Sequence, residues 1–131
     1  TDTWGYYGDA IFRADATDNS FHVSVPRLCQ NTWDIQSQAA GLTLEKGHEY
    51  LLSFDASSSN SAEMTIFFNR QEGWNWPQCW ESNVVLSQDM KHYEFRFVME
   101  SDSHDDWQLC LNFGKCTGYF EFRNVSLTQI K

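Results

Sequence analysis

The segment from Tyr93 to Glu100 reads YEFRFVME, and large apolar residues occupy every second position from its start. This two-residue period is typical of a β-strand with one buried and one solvated face. The same period returns in residues 50–56, which read YLLSFDA, and in shorter runs at 21–25, 64–68 and 109–113. Helical periodicity is hard to find anywhere in the chain. The sequence therefore predicts an all-β protein.

Clusters of Gly, Asn, Ser, Asp and Pro separate these runs and divide the chain into eight main strands. The predicted strands are 20–25, 33–38, 48–56, 63–69, 81–87, 91–99, 107–113 and 118–128, with a less regular ninth near 10–14. A change of phase between Phe122 and Val125 predicts a β-bulge. The spacing indicates a jelly-roll β-sandwich of two antiparallel sheets. In the usual wiring, strands one, eight, three and six form one sheet, and strands two, seven, four and five form the other.

Composition and charge describe one domain over residues 1–131. Hydrophobic residues make up 41% of the chain, and 18 acidic against nine basic residues give a net charge of −9. Such a surface repels nucleic acids and anionic membranes, so we expect neither as a partner. No apolar run approaches the roughly 18 residues of a membrane span. Thr1 has no apolar segment before it, so we expect that a signal peptide or a neighbouring domain has been removed. We also expect the module to be monomeric and to come from a secreted protein.

The predicted wiring gives the two sheets different outer faces. One face is mixed and charged, with Ser53, Asp55, Glu94, Arg96, Glu121 and Arg123. The other is rich in amides, with an exposed Phe67 at its centre; its polar residues are Asp34, Gln36, Gln38, Thr65, Asn69, Gln108, Cys110 and Asn112. Five tryptophans border the amide face. Trp33 and Trp107 open two of its strands, and Trp74, Trp76 and Trp80 lie in a segment with Gly73, Asn75 and Pro77 that is typical of a surface loop.

Amides beside tryptophans suit a pyranose chain. Gln and Asn both donate and accept hydrogen bonds, as sugar hydroxyls do, and an indole offers a flat apolar surface to the C–H face of a sugar. We predict Trp74, Trp76 and Trp80 as sugar platforms and Gln36, Gln38, Gln108 and Asn112 as hydroxyl partners. Phe67, Asn69 and Trp33 complete the predicted site. Trp33 and Trp107 share the phase of core residues, so core packing stays open for both.

Several stretches carry a family resemblance: Trp33-Asp34-Ile35-Gln36, Gly41 to Tyr50, Leu52 to Ala56, Leu111 to Gly114 and Phe122 to Leu127. The chain resembles carbohydrate-binding modules of the superfamily that includes families 4, 9, 16 and 22. The resemblance implies a jelly roll whose concave cleft binds β-glucan or xylan, joined to a glycoside hydrolase that degrades plant cell walls. Arg123 stands where such modules commonly carry a calcium-binding Asp, so we predict neither a metal nor another cofactor.

The four cysteines allow two disulfides. In the predicted wiring Cys29 lies near Cys116 at one end of the sandwich, and Cys79 lies nearer Cys110 at the other. These pairings are preferred over Cys29–Cys79. The short-range pair Cys110–Cys116 competes with them, and four reduced thiols are the remaining alternative.

Two other function classes stay in view. A glycosidase needs two carboxylates across a cleft, but Asp34 and Glu81 have no evident partner on the amide face, so we predict a binding module and not an enzyme. An acidic turn at 102–106 is interpreted as solvated and not as a cation site. We expect neutral β-glucans as ligands: mixed-linkage glucan, cellulose-like chains and, as a further candidate, xyloglucan. The alternatives are a xylan-binding module and a protein-interaction or adhesion sandwich that uses the tryptophan segment as an anchor.

Overall fold

The computed structural model describes residues 4–15 and 19–131, which form ten strands in two antiparallel sheets. The strands are β1 Trp4–Tyr7, β2 Ile11–Asp15, β3 Ser20–Val25, β4 Gln36–Leu44, β5 Glu49–Ser58, β6 Ala62–Asn69, β7 Gln78–Leu86, β8 Lys91–Val98, β9 His104–Asn112 and β10 Gly118–Gln129. A short 3₁₀ helix, Thr32–Asp34, precedes β4. In this described part of the chain, no helix has the length and apolar character needed to cross a membrane.

Strand order confirms the predicted sandwich and its wiring. Sheet A has the order β1-β4-β9-β6-β7, and sheet B has the order β2-β3-β10-β5-β8. Each sheet thus contains the four predicted strands in the expected arrangement, with one extra strand at an edge. β2 is the predicted ninth strand. β1 was not predicted, because its sequence WGYY is short, shows no alternation and contains a glycine.

The alternating residues meet between the sheets. In β5, Tyr50, Leu52, Phe54 and Ala56 point inward and are buried, and their neighbours are partly exposed. Aromatic rings fill much of the interior; the rings of Phe21 and Phe122, for example, stack with centroids 4.9 Å apart. Burying one such side chain contributes about 1.5–3 kcal/mol, so this interior is the main source of stability.

The predicted bulge lies in β10. The register against β5 shifts between Arg123 and Ser126, and Asn124 has a φ of +56°. Asparagine adopts this left-handed conformation more readily than most residues. The backbone N–H of Asn124 donates to the Asn19 carbonyl at 2.9 Å, and its side chain donates to Asp55 at 3.1 Å. The bulge brings Val125 and Leu127 against the core.

Two strand boundaries differ from the prediction, and both matter for the site. The second predicted strand, 33–38, begins at Gln36 and continues to Leu44, so Trp33 belongs to the 3₁₀ helix. The fifth predicted strand, 81–87, begins at Gln78, so Trp80 lies in β7 and not in a loop. A register shift between Phe68 and Asn69 in β6 accommodates the earlier start of β7.

The two preferred disulfides, Cys29–Cys116 and Cys79–Cys110, are not formed, and neither is Cys110–Cys116. All four cysteines are free thiols. The Cys110 thiol faces Asn69 Oδ1 at 3.5 Å, and the Cys116 thiol donates to the Glu63 carbonyl at 3.1 Å. Both sulfurs therefore contact oxygen acceptors within sheet A. Burial raises the pKa of Cys79 to about 11 and that of Cys110 to about 12, which keeps both thiols protonated.

Candidate functional site

A groove of about 580 Å³ crosses the outer face of sheet A. Its floor consists of three rows of side chains that run across the strands. The first row contains Gln36, Asn112 and Thr65; the second contains Gln38, Cys110, Phe67 and Glu81; the third contains Gln108, Asn69 and Gln78. Successive rows are two residues apart along β4, β6 and β9, which is about 6.7 Å, and the register shift beside β7 separates Glu81 from Gln78 by three residues. The strand pairing alone therefore brings the predicted amides onto one surface.

The amides of the groove floor form hydrogen bonds with one another. Gln36 Nε2 donates to Asn112 Oδ1 at 2.8 Å, and Gln38 Nε2 donates to Gln36 Oε1. In the third row, Gln108 Nε2 donates to Asn69 Oδ1 at 2.9 Å. Each amide has two N–H donors and a carbonyl acceptor with two lone pairs, so these contacts leave further capacity on every side chain. The network fixes the amides in place and leaves groups available for a ligand.

The centre of the middle row, Phe67 and Cys110, is the apolar part of the groove floor. Phe67 was predicted to be exposed, but it is only 5% exposed because the residues around it cover its ring. Cys110 beside it is fully buried, and its protonated thiol faces Asn69. Phe67 therefore lines the groove as its base. The exposed part of Phe67 and the amides around it supply both kinds of contact that a sugar ring makes.

Trp33 lies at one end of the groove, where β4 begins, and is 58% exposed. Its 3₁₀ helix is held from two sides. The Asp34 carboxylate accepts the Asn31 backbone N–H at 2.9 Å, and the Gly114 N–H donates to the Thr32 carbonyl at 2.8 Å. A Cβ atom on Gly114 would lie 1.9 Å from the Asn31 carbonyl oxygen, so only glycine allows this contact. Both the groove and the core were open as places for Trp33, and in the structure Trp33 lies in the groove.

Trp76 lies at the opposite strand end, in residues 70–77, which we call the Trp loop. This side chain lines the groove and is 52% exposed. Arg70 holds the base of the Trp loop: its guanidinium contacts both carboxylate oxygens of Asp106, at 2.7 and 3.1 Å, and Glu72 at 2.6 Å. The hydrogen bonds to Arg70 lower the pKa of Asp106 and those to Asp106 raise the pKa of Arg70. Trp33 and Trp76 thus face the groove from opposite ends of the strands.

The other three of the five tryptophans predicted to border the amide face lie elsewhere. Trp80, predicted as a platform, packs on the core, with its ring stacked on Phe97 at 5.3 Å. It points inward because it shares the phase of Val84 in β7. Trp107 is 2% exposed and belongs to the core. Trp74 is 99% exposed at the tip of the Trp loop and does not line the groove.

Four lining residues were absent from the predicted site: Thr32, Thr65, Gln78 and Glu81, the last of which was considered only as a catalytic candidate. Thr65 stood on the predicted amide face and follows from the strand phase alone. Gln78 could have been found only with the correct start of β7, which places it opposite Asn69. Thr32 neighbours Trp33 in a helix that the strand pattern did not indicate.

The charges in the groove are few. Among the described residues that line it, Glu81 is the only carboxylate, and there is no Lys, Arg or His. Asp34, the other acidic candidate, is used as the acceptor for Asn31. Within residues 4–15 and 19–131, no group of three or more His, Cys, Asp or Glu side chains could hold a metal ion. The groove therefore offers hydrogen bonds and apolar contact, without a pair of carboxylates on its lining.

Comparison with known families shows to which family this architecture belongs. The family model CBM 4/9, described as a carbohydrate binding domain, matches residues 1–118. The chain belongs to this carbohydrate-binding module family. The family and the fold together point to a non-catalytic binding module. No curated protein sequence matches the module significantly.

Solved structures share the fold of the module at low sequence identity. A structure described as "CBM4 structure and function" has a TM-score of 0.80 at 18% identity, covering 97% of this chain and 86% of that one. The N-terminal cellulose-binding domain of Cellulomonas fimi β-1,4-glucanase C has a TM-score of 0.77 at 16% identity, covering 99% and 90%. A CBM22-1-GH10 portion of Clostridium thermocellum xylanase 10B, complexed with xylohexaose, has a TM-score of 0.69 at 15% identity, covering 99% and 26%.

Proposed function

We propose that the module binds neutral β-glucan chains in the groove of sheet A: mixed-linkage glucan, cellulose-like chains and xyloglucan. In this role it would act as a secreted, monomeric module that holds a linked glycoside hydrolase against plant cell-wall polysaccharide. The observation that supports the proposal best is the groove itself, with amide rows on both sides of an apolar floor and a tryptophan at each strand end. The membership of the family makes a polysaccharide the expected ligand class.

The arrangement of the rows supports a chain that lies across the strands. Trp33 and Trp76 stand at opposite strand ends, so the open direction between them follows the rows. A pyranose ring in this direction lies over the small exposed part of Phe67 and brings its equatorial hydroxyls towards the amides of the groove floor. Because those amides already hold one another, little conformational entropy is lost when they bind.

Charge supports a neutral ligand. The groove lining carries one carboxylate, Glu81, and no base, in a molecule with a net charge of −9. An anionic glycan would be repelled and would find no cation to pair with. A glucan also presents a hydroxymethyl group that a xylan lacks, and this group adds apolar area and a hydroxyl for two tryptophans and many amides. Xylan remains the second candidate, because one structurally similar module was solved with xylohexaose.

Affinity electrophoresis on a panel of soluble polysaccharides tests the proposal. We expect retardation by mixed-linkage glucan and xyloglucan, weaker retardation by xylan and none by polygalacturonate, with no reducing sugar released during incubation. Retardation by xylan alone would move the assignment to the second candidate. Release of reducing sugar would make the protein an enzyme, and binding to a protein with no response to any glycan would support an interaction module.

A further inference from the structure

Trp74 lies at the exposed tip of the Trp loop. It shares this loop with Trp76, but only Trp76 lines the groove. At 99% exposure, the Trp74 side chain has almost no contact with the rest of the molecule. The Trp loop therefore carries one indole that lines the groove and a second, exposed indole that does not.

The tip that carries Trp74 is well ordered by its own contacts. The backbone N–H of Glu72 donates to the Asn75 carbonyl, and that of Asn75 donates to the Glu72 carbonyl, each at 2.9 Å. Gly73, with a φ of +63°, takes the first central position of this tight turn, where L side chains are strained. Arg70 fixes the base of the turn, because its guanidinium contacts the carboxylates of both Glu72 and Asp106. Trp74 is thus presented on a hairpin whose backbone is held by hydrogen bonds, so little backbone entropy is lost when its indole binds.

We infer that Trp74 stacks on a pyranose ring outside the groove, on a sugar that does not belong to the backbone stretch bound between Trp33 and Trp76. This inference rests on the proposed function, because the glycan in the groove brings the outer sugar to the tryptophan. Two sources supply such a ring: a side branch of the bound chain, or a neighbouring chain of an assembled polymer. The site would make the module prefer branched or assembled glucan over an isolated linear oligosaccharide.

The test compares Trp74→Ala with Trp76→Ala on three ligands that wild type binds: a linear soluble hexasaccharide, a soluble branched β-glucan and an insoluble unbranched β-glucan. For Trp74→Ala we expect hexasaccharide affinity within about twofold of wild type, and a loss of about fivefold or more on the branched or the insoluble polymer. A loss on the branched ligand identifies a side branch, and a loss on the insoluble ligand identifies a neighbouring chain. Trp76→Ala is expected to weaken all three, and Trp74→Tyr to restore most of the polymer affinity.

Two results would overturn the inference while leaving the proposed function intact. Unchanged affinity of Trp74→Ala for all three ligands would show that the outer tryptophan makes no contact. An equal loss on the hexasaccharide would place Trp74 in the groove site. If wild type binds none of the three, the proposed function fails and the inference fails with it. Circular dichroism is expected to show a wild-type fold, since Trp74 packs against almost nothing.

Discussion

Trp76, like Trp33, is both exposed and part of the groove lining, and it is the predicted sugar platform that the structure places there. By analogy with bases stacked on aromatic side chains, a platform of this kind contributes about 1–3 kcal/mol. Trp76→Ala should therefore weaken binding of a β-glucan oligosaccharide by roughly ten- to a hundredfold in calorimetric titration. Tyr119→Ala is the matched control, since Tyr119 is an exposed aromatic residue of sheet B. An equal loss in both variants would contradict a site on sheet A.

Residue type and phase predicted most of the groove floor. Gln36, Gln38, Gln108 and Asn112 lie where alternation placed them, because side chains two residues apart share a face of a strand. The tryptophans were harder to place. Trp33, for which groove and core were both open, lies in the groove because it belongs to a 3₁₀ helix, and Trp80, predicted as a platform, packs on the core because β7 begins early. The alternation of Trp80, Ser82, Val84 and Leu86 contained the signal for an inward-facing Trp80.

At the scale of the element, Gly114 supports the helix that carries Trp33. A Cβ atom at this position collides with the Asn31 and Thr32 carbonyl oxygens, at 1.9 and 2.7 Å. Gly114→Ala should therefore displace the helix, lower the free energy of unfolding by about 1–3 kcal/mol and weaken glycan binding. In Gly41→Ala the new Cβ meets no atom within 4 Å, and only the φ of +73° is strained. Urea unfolding and titration should show that Gly41→Ala loses stability without losing glycan affinity.

The Trp loop depends on the ion pair between Arg70 and Asp106. The Arg70 side chain is 12% exposed and also lies over the Trp107 ring, with 6.0 Å between its Cζ and the ring centroid. Asp106→Ala removes the bidentate contact that fixes the base of the loop. We expect glycan affinity to fall roughly three- to tenfold, about 0.7–1.4 kcal/mol, because Trp76 loses its fixed position.

Asp105→Ala serves as the control for this change, since Asp105 is a neighbouring exposed carboxylate of β9. It should keep wild-type affinity. Tryptophan fluorescence anisotropy provides a readout besides binding, with faster indole motion expected in Asp106→Ala. Equal affinities in the two variants would show that the loop holds its shape without Arg70.

The elements themselves followed largely from the sequence. The eight alternating runs predicted the sandwich and the buried face of each strand. The strand neighbours were taken from the usual wiring of a jelly roll, and the structure has that wiring. The bulge was also predictable, since the period breaks between Phe122 and Val125. The two segments that carry Trp33 and Trp76 were not predictable. The 3₁₀ helix at Thr32–Asp34 and the hairpin of the Trp loop depend on contacts from Gly114 and Asp106, which lie far away in the chain.

At the scale of the whole molecule, the stability should depend on pH through sheet B. His92 lies between Asp55 and Glu94, with Nδ1 2.7 Å from Asp55 and Nε2 3.0 Å from Glu94. The hydrogen bond to Asp55, followed by that to Glu94, raises the pKa of His92 above 6.5. The hydrogen bond from His92 lowers the pKa of Asp55 below 3.8.

These directions define a pH window. The raised pKa of His92 stabilises the fold at pH below 6.5, and this stabilisation is lost as the pH rises through the raised value. The lowered pKa of Asp55 stabilises the fold above pH 3.8 and is lost as the pH falls through the lowered value. Wild type should therefore melt above His92→Ala at pH 5, and the difference should vanish well above the His92 pKa. A difference in melting temperature that is constant over this range would contradict the ion-pair interpretation.

The central claim is that the groove of sheet A binds a neutral β-glucan, and nuclear magnetic resonance with a soluble β-glucan hexasaccharide tests it most directly. Titration should shift the side-chain amide signals of Gln36, Gln108 and Asn112 and the indole N–H signals of Trp33 and Trp76. The signals of Trp107, in the core, and of sheet B should stay in place. Saturable shifts confined to sheet B, or no shift with glucan and xylan hexasaccharides alike, would contradict the account.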